Sequence, residues 1–245
     1  FKTFLMETLI LYMVIPGRIN FLQLGRYGKS CEQRFRENFS KDFDWYGFNL
    51  SLSGRILTGH RKAIAVDPSY ISKSGKNTPW IGYFWSGTAG QSKRGLEILG
   101  IGLVDIDNND CISLGAVQTP DSQTLESRGS NLVDWYLRVL DPIKEKLHRA
   151  SRHVVADAYF SRSTFVEGLH GMGFALVSRF RNDAVLLYPT LQKPTGKRGR
   201  PKLYDGRIDM ANLDLSRVEM IDIDNGKLYT LVAWSKSLKQ KVRLA

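Results

Sequence analysis

Apolar positions near the start of the chain follow a helical repeat. Phe4, Leu5, Leu9, Tyr12 and Met13 recur at helical spacing, and Pro16-Gly17 stops the helix. Residues 19–24 lead to a glycine-flanked breaker, Gly25-Arg26-Tyr27-Gly28, and a second helical stretch covers 30–39. From about residue 59 the pattern changes to strands. The run 63–66 is continuously apolar, and 80–85 is aromatic and β-prone. Segments 96–104 and 111–118 flank a turn-rich acidic stretch, 105–110, and read as a hairpin. A solvated turn fits that stretch better than a calcium loop, because the glycine and distal glutamate of an EF-hand are missing. Leu132, Tyr136, Leu140, Ile143 and Leu147 line one face of a helix over 131–149, where Pro142 marks a kink or a restart. A strand over 153–157 follows. The capping-box pattern Thr164-x-x-Glu167 predicts a helix ending near Gly171 or Gly173, and 174–180 is another strand. Residues 185–221 hold Pro189, Pro194, Gly196, Gly199 and Pro201 and break the rhythm; 228–234 returns to strand character. These elements predict an α/β fold: a mixed sheet flanked by helices, with an N-terminal helical region and an inserted loop or small subdomain over 185–221.

Two of the apolar runs end in an aspartate: Ala63-Ile64-Ala65-Val66-Asp67 and Val154-Val155-Ala156-Asp157. Continuous apolar residues predict strands buried on both faces. A carboxylate at the end of such a strand is costly unless a cation meets it. Neighbouring strands lie about 4.8 Å apart, so both carboxylates could grip one divalent metal. Hard ions want carboxylate oxygens, and two such ions about 3.5–4 Å apart can activate a nucleophile and stabilise a leaving oxygen in phosphodiester transfer. On that reading Asp67 bridges two ions and Asp157 holds one. The competing reading for Asp67-Pro68-Ser69 is a turn in which the carboxylate caps backbone N–H groups.

Charge strengthens the first reading. The 245 residues carry a formal net charge of +11, which favours a polyanion partner, nucleic acid before an anionic membrane. The helix, glycine turn and basic helix near the start resemble a helix-turn-helix, which would set Lys29, Arg34 and Arg36 near phosphates or bases; an ordinary helical hairpin explains the pattern equally well. Lys193, Lys197, Arg198, Arg200 and Lys202 lie in a stretch without acids and suit phosphate contact. Arg198-Gly199-Arg200-Pro201 also resembles the core of a minor-groove hook, with a solvated basic loop as the alternative. Arg162 either contacts a phosphate beside the metals or decorates a helix start, and Trp80 and Trp85 read as core. Cys31 and Cys111 are far apart and His60, His148, His153 and His170 are scattered, so neither a disulfide framework nor a zinc site is expected; two buried reduced thiols fit a cytoplasmic protein. The apolar run 4–15 contains Glu7, is too short to span a bilayer and lacks the marks of a signal peptide.

Around the second aspartate the chain reads Ala156-Asp157-Ala158-Tyr159-Phe160-Ser161-Arg162. This resembles the DDE-type transposases of bacterial insertion sequences, whose catalytic core is ribonuclease H-like. In them a strand ends in the second catalytic acid, followed by a small residue, an aromatic and a helix. Ile64-Ala65-Val66-Asp67 resembles the strand of the first acid, and Ser69-Tyr70-Ile71 with Lys73-Ser74-Gly75-Lys76 adds to the likeness, as does the implied inserted β-rich segment after the second acid, which holds the basic Gly196-Lys197-Arg198-Gly199-Arg200-Pro201 stretch. The resemblance covers roughly 59–245. It implies Asp67 and Asp157 as catalytic metal ligands, Mg²⁺ or Mn²⁺ as two ions, double-stranded DNA as substrate and target, a possible homodimer in a synaptic complex, and a cytoplasmic, nucleoid-associated protein. The implied boundaries are a DNA-binding region over 1–58, a catalytic core over 59–184, a basic insertion over 185–221 and a return to the core over 222–245. The family's third acid is a glutamate on a later helix, and Glu126, Glu167 and Glu219 do not fit it, so a C-terminally truncated core is expected. The rival expectations are a non-catalytic DNA-binding remnant and another ribonuclease H-like nuclease.

Overall fold

The computed structural model describes residues 1–75, 77–192, 201–223 and 226–245. It divides into two units, Phe1–Trp45 and Tyr46–Ala245. Lys197, Arg198 and Arg200, and with them the hook-like motif, lie outside the described residues.

The first unit is helical: α1 (Lys2–Val14), α2 (Phe21–Tyr27) and α3 (Glu32–Phe39). Ile15 turns extended ahead of Pro16 and ends α1, as a residue before proline prefers. Phe4, Leu11, Ile15, Leu24 and Phe35 form the small core. Gly25 does not break the chain as expected; α2 runs through it. A Cβ there would lie 2.7 Å from the backbone nitrogen of Glu32, so glycine is what lets α2 approach the start of α3. The break comes after Tyr27, and Glu7 secures it by accepting from the backbone N–H groups of Lys29 (2.6 Å) and Ser30 (3.2 Å).

The second unit begins with α4 (Trp45–Ile56), whose first residue straddles the boundary. It continues with β1 (Lys62–Ser72), β2 (Gly82–Ser86), β3 (Gln91–Asp105), β4 (Asp110–Gln118), α5 (Ser122–Ser127), α6 (Leu132–Leu140) and α7 (Lys144–His148). Next come β5 (His153–Ala156), α8 (Ser163–Gly171), β6 (Ala175–Ser178), β7 (Leu186–Pro189), β8 (Tyr204–Arg207), β9 (Glu219–Ile223), β10 (Gly226–Ser235) and β11 (Gln240–Leu244). The first sheet has the order β2-β3-β1-β5-β6, with β4 also on β3. β1, β5 and β6 are parallel, and β3 runs against β1. The second sheet joins β11-β10-β7-β8, with β9 on β10. Within the expected return segment, β10 and β11 therefore do not join the first sheet: β10 finds its partners in β7, β9 and β11.

Alternation along β3 sends Leu99, Ile101 and Leu103 into one core with Ile64 and Val66 of β1, Val154 of β5, and Val133, Tyr136, Leu140, Phe165 and Leu169 of α6 and α8. Each fully buried Leu or Ile contributes about 1.5–3 kcal/mol. Pro142 restarts the helix: a 3-10 turn, Asp141–Ile143, separates α6 from α7. Asp105 closes the β3–β4 hairpin from inside. Burial pushes its carboxyl up, but Asn108 and the N–H groups of Gly59, Asn108 and Asp107 outweigh that and hold it below the usual range.

Several local expectations are corrected. β5 is buried on one face only, since Val155 is 39% exposed. Thr164 caps nothing: α8 starts at Ser163 behind Arg162, without a side-chain cap, and the capping box belongs to Asn131 and Asp134 at α6. Trp85 is exposed on the outer side of β2, and both cysteines are exposed, Cys31 just ahead of α3 and Cys111 on the edge strand β4.

Candidate active site

Asp67 does not end its strand. β1 continues to Ser72, paired with β3 over its whole length, so the Asp67-Pro68-Ser69 turn does not form. Pro68 is tolerated because β5 pairs β1 only at Ile64 and Ala65; beyond that, one side of β1 is open, and an N–H missing from that side breaks no ladder bond. The register Ile64↔Val154 and Ala65↔Val155, carried two residues on, sets Asp67 beside Asp157. Alternation turns Asp67 away from the buried Val66, onto the face opposite the one that α6 and α8 cover. Its neighbour across β3 is Gly100, which brings no side chain to that face.

The two carboxylates differ in what the protein gives them. Asp157 starts the 3-10 turn Ala158–Phe160 and accepts from the backbone N–H of Tyr159 at Oδ1 (3.0 Å). The Ser178 hydroxyl donates to its carbonyl oxygen (2.8 Å), tying the end of β6 to the same corner. Asp67 accepts no hydrogen bond and meets no cation among the described residues. Asp67 is exposed, but the strands around it desolvate it in part and push its carboxyl up, and the Asp157 charge adds to the rise.

A buried polar group lies across the sheet. Glu97 has the parity of Leu99 and Ile101 and is 6% exposed; Tyr136 donates to it at 2.7 Å. Burial, then Glu97, pushes the Tyr136 phenol far up, so it stays a donor. Tyr136→Phe strands the Glu97 carboxylate and is expected to lower stability by about 1–3 kcal/mol. Urea denaturation of the two proteins measures this, and a loss below about 0.5 kcal/mol would mean Glu97 has another partner.

The other predicted contacts fall as follows. Arg162 is exposed, its guanidinium 4.3 Å over the Tyr159 ring, close after Asp157. Arg36 is paired with Glu32 and also lies 5.0 Å over Phe21; Arg34 lies 5.8 Å over Phe4. Lys29 is used through its backbone N–H. Lys202 pairs with Asp205 (3.2 Å), which Arg217 also holds at 2.7 Å. Sequence reasoning missed Arg181 and Lys236, which share a cleft with Arg162. Lys236 stands in a basic tail with Lys239, Lys241 and Arg243, and Arg181 follows Arg179 by two residues, but nothing local to either segment says that the two meet at Arg162.

Two carboxylates side by side, one on β1 and one just past the end of β5, on a parallel-centred mixed sheet with helices over the other face, define a ribonuclease H-like α/β protein. Residues 40–241 match the family model described as DDE superfamily endonuclease, and the chain belongs to that family. Membership carries a transposase-type nuclease class, DNA as the substrate and a divalent metal as the usual cofactor. No curated protein matches the chain. Among the described residues, no helix is long and apolar enough to cross a membrane.

Proposed function

We propose that Asp67 and Asp157 are the metal-binding acids of a DNA transposase core that cleaves strands at element ends and joins them to target DNA. The observation that supports it is the register that sets Asp67 beside Asp157, with an Asp67 carboxylate that has no hydrogen-bond donor and no protein cation among the described residues. Such a pair suits a hard divalent ion, Mg²⁺ or Mn²⁺, which takes oxygen ligands. Bound there, the metal supplies Lewis-acid stabilisation of phosphoryl oxygens. The protein's own part is to fix the two acids in one register, hold Asp157 through Tyr159 and Ser178, and meet DNA phosphates with Arg162 and the basic insertion. Lys29, Arg34, Arg36, Lys197, Arg198, Arg200 and Lys202 belong to the same proposal as DNA contacts, as do a DNA-binding role for 1–58 and pairing of two copies on element ends.

A second reading has one observation in its favour. Among the described residues no three His, Cys, Asp or Glu side chains group as a metal site, which fits a DNA-binding remnant without cleavage. Thermal melting with Mg²⁺ or Mn²⁺ separates the two. A ligand at a hundred times its Kd adds about 2.7 kcal/mol, so the wild type is expected to gain stability and Asp67→Ala/Asp157→Ala to gain none. Equal behaviour of the two proteins would favour the remnant.

A further inference from the structure

A cleft of about 460 Å³ opens between the start of α8, the segment after β6 and the end of β10, lined by Arg162, Ser163, Arg181, Asp183 and Lys236 among others. We infer that it holds a backbone phosphate of the DNA strand whose reacting phosphodiester lies at Asp67 and Asp157. The inference rests on the proposed reading of those acids.

Three cations face one carboxylate in this cleft. Asp183 takes Arg181 through Nε (3.2 Å) and Nη2 (3.3 Å), and a guanidinium has five N–H donors, so Arg181 keeps others free. Arg162 and Lys236 meet no carboxylate among the described residues, which leaves two uncompensated positive charges. The walls are tied together: the Lys236 backbone N–H donates to the Val185 carbonyl (3.0 Å), and that of Ala184 donates to the Arg181 carbonyl (3.0 Å). The Arg162 guanidinium is oriented by the Tyr159 ring beneath it. α8 adds to the field. Its start has no side-chain cap, and its first helical bond runs from the Val166 N–H to the Arg162 carbonyl, so the N–H groups of Ser163 to Phe165 have no helical acceptor. The shared ligand chemistry is a phosphate. Position selects a DNA strand as its source: Arg162 comes just past the 3-10 turn Ala158–Phe160 that Asp157 starts, so the cleft wall continues directly from the proposed acids. A strand whose reacting phosphodiester lies at those acids carries its neighbouring phosphates past that wall.

The test uses the full chain in EDTA, so that binding is read without cleavage. Cys31→Ser and Cys111→Ser remove the native thiols, and Ser163→Cys places one in the cleft. A DNA duplex is expected to slow alkylation of that thiol at concentrations that saturate fluorescence anisotropy, whereas inorganic phosphate at the same concentration is not. Arg162→Gln and Lys236→Gln are each expected to weaken the protection and to lower the slope of log affinity against log salt by about 1. Arg149→Gln, beyond the opposite end of β5, is expected to leave the protection unchanged. Bound DNA that does not slow alkylation, or protection by inorganic phosphate alone, overturns the inference. Neither result touches the metal response of Asp67 and Asp157. Conversely, a missing metal response in a protein that shows DNA protection overturns the transposase reading and leaves a phosphate cleft.

Discussion

Asp67→Asn is expected to cut Mg²⁺-dependent DNA cleavage at least about a hundredfold. Losing a group one shell out from a metal costs about ten- to a hundredfold, and here a ligand itself loses its charge. A hundredfold is about 2.7 kcal/mol of barrier. The same substitution should not harm the metal-free fold, and this opposite sign makes the prediction specific. The Asp67 carboxyl is raised in the folded protein by partial desolvation and by Asp157. The folded state therefore binds that proton more tightly than the unfolded chain. The stability this gives is complete below the ordinary carboxylate range and is lost as pH rises through the raised value. An amide in place of the carboxyl would not titrate, so the metal-free variant should match or exceed the wild type near neutrality. Melting in EDTA from acid to neutral pH, beside a nicking assay on duplex DNA, reads both halves. A variant that nicks at the wild-type rate removes Asp67 from the chemistry.

Phe160→Ala should be the most damaging single change to the fold near the site, at about 3–5 kcal/mol. Phe160 is 1% exposed, with ring centroids 4.7 Å from Phe165 and 5.4 Å from both Tyr136 and Tyr159. It ends the 3-10 turn that Asp157 starts, so the hole would open beneath the segment that aims the carboxylate. A lower denaturation midpoint with an unchanged slope is the expected form, since the surface exposed on unfolding is the same. Metal-dependent stabilisation should weaken as well. A loss under about 1 kcal/mol would show that the ring packs less tightly than its burial implies.

What the sequence made legible is what burial writes into it. The apolar runs before Asp67 and Asp157, the face of α6 and the hairpin that turns after Asp105 were readable because core packing demands their periodicity. Asp67 misled as a strand end, because Pro68 and Ser69 favour a stop in local chemistry while the ladder to β3 carries the strand on to Ser72. Thr164 misled in the same way: its motif fits a cap, yet the helix starts two residues earlier than that cap implies, at Ser163. Glu97 had a usable signal, since its parity with Leu99, Ile101 and Leu103 points it inward. Partner choice left no trace at all. Nothing in Leu231 or Ala233 says that β10 pairs with β7, β9 and β11 rather than with the first sheet.

The register between β1 and β3 has a further meaning for how this chain tolerates change. Eleven paired positions, Lys62↔Asp105 to Ser72↔Gly95, fix which way Asp67 points. A strand has only two sides, so the site is sensitive to odd and even. Inserting one residue between Ile64 and Asp67 would turn the carboxylate into the packed core and send its neighbours out. Inserting two would restore the side but carry the carboxylate about 6.6 Å along the strand, away from Asp157. Point substitutions in this stretch are graded in their effect, whereas changes in its length act all or none.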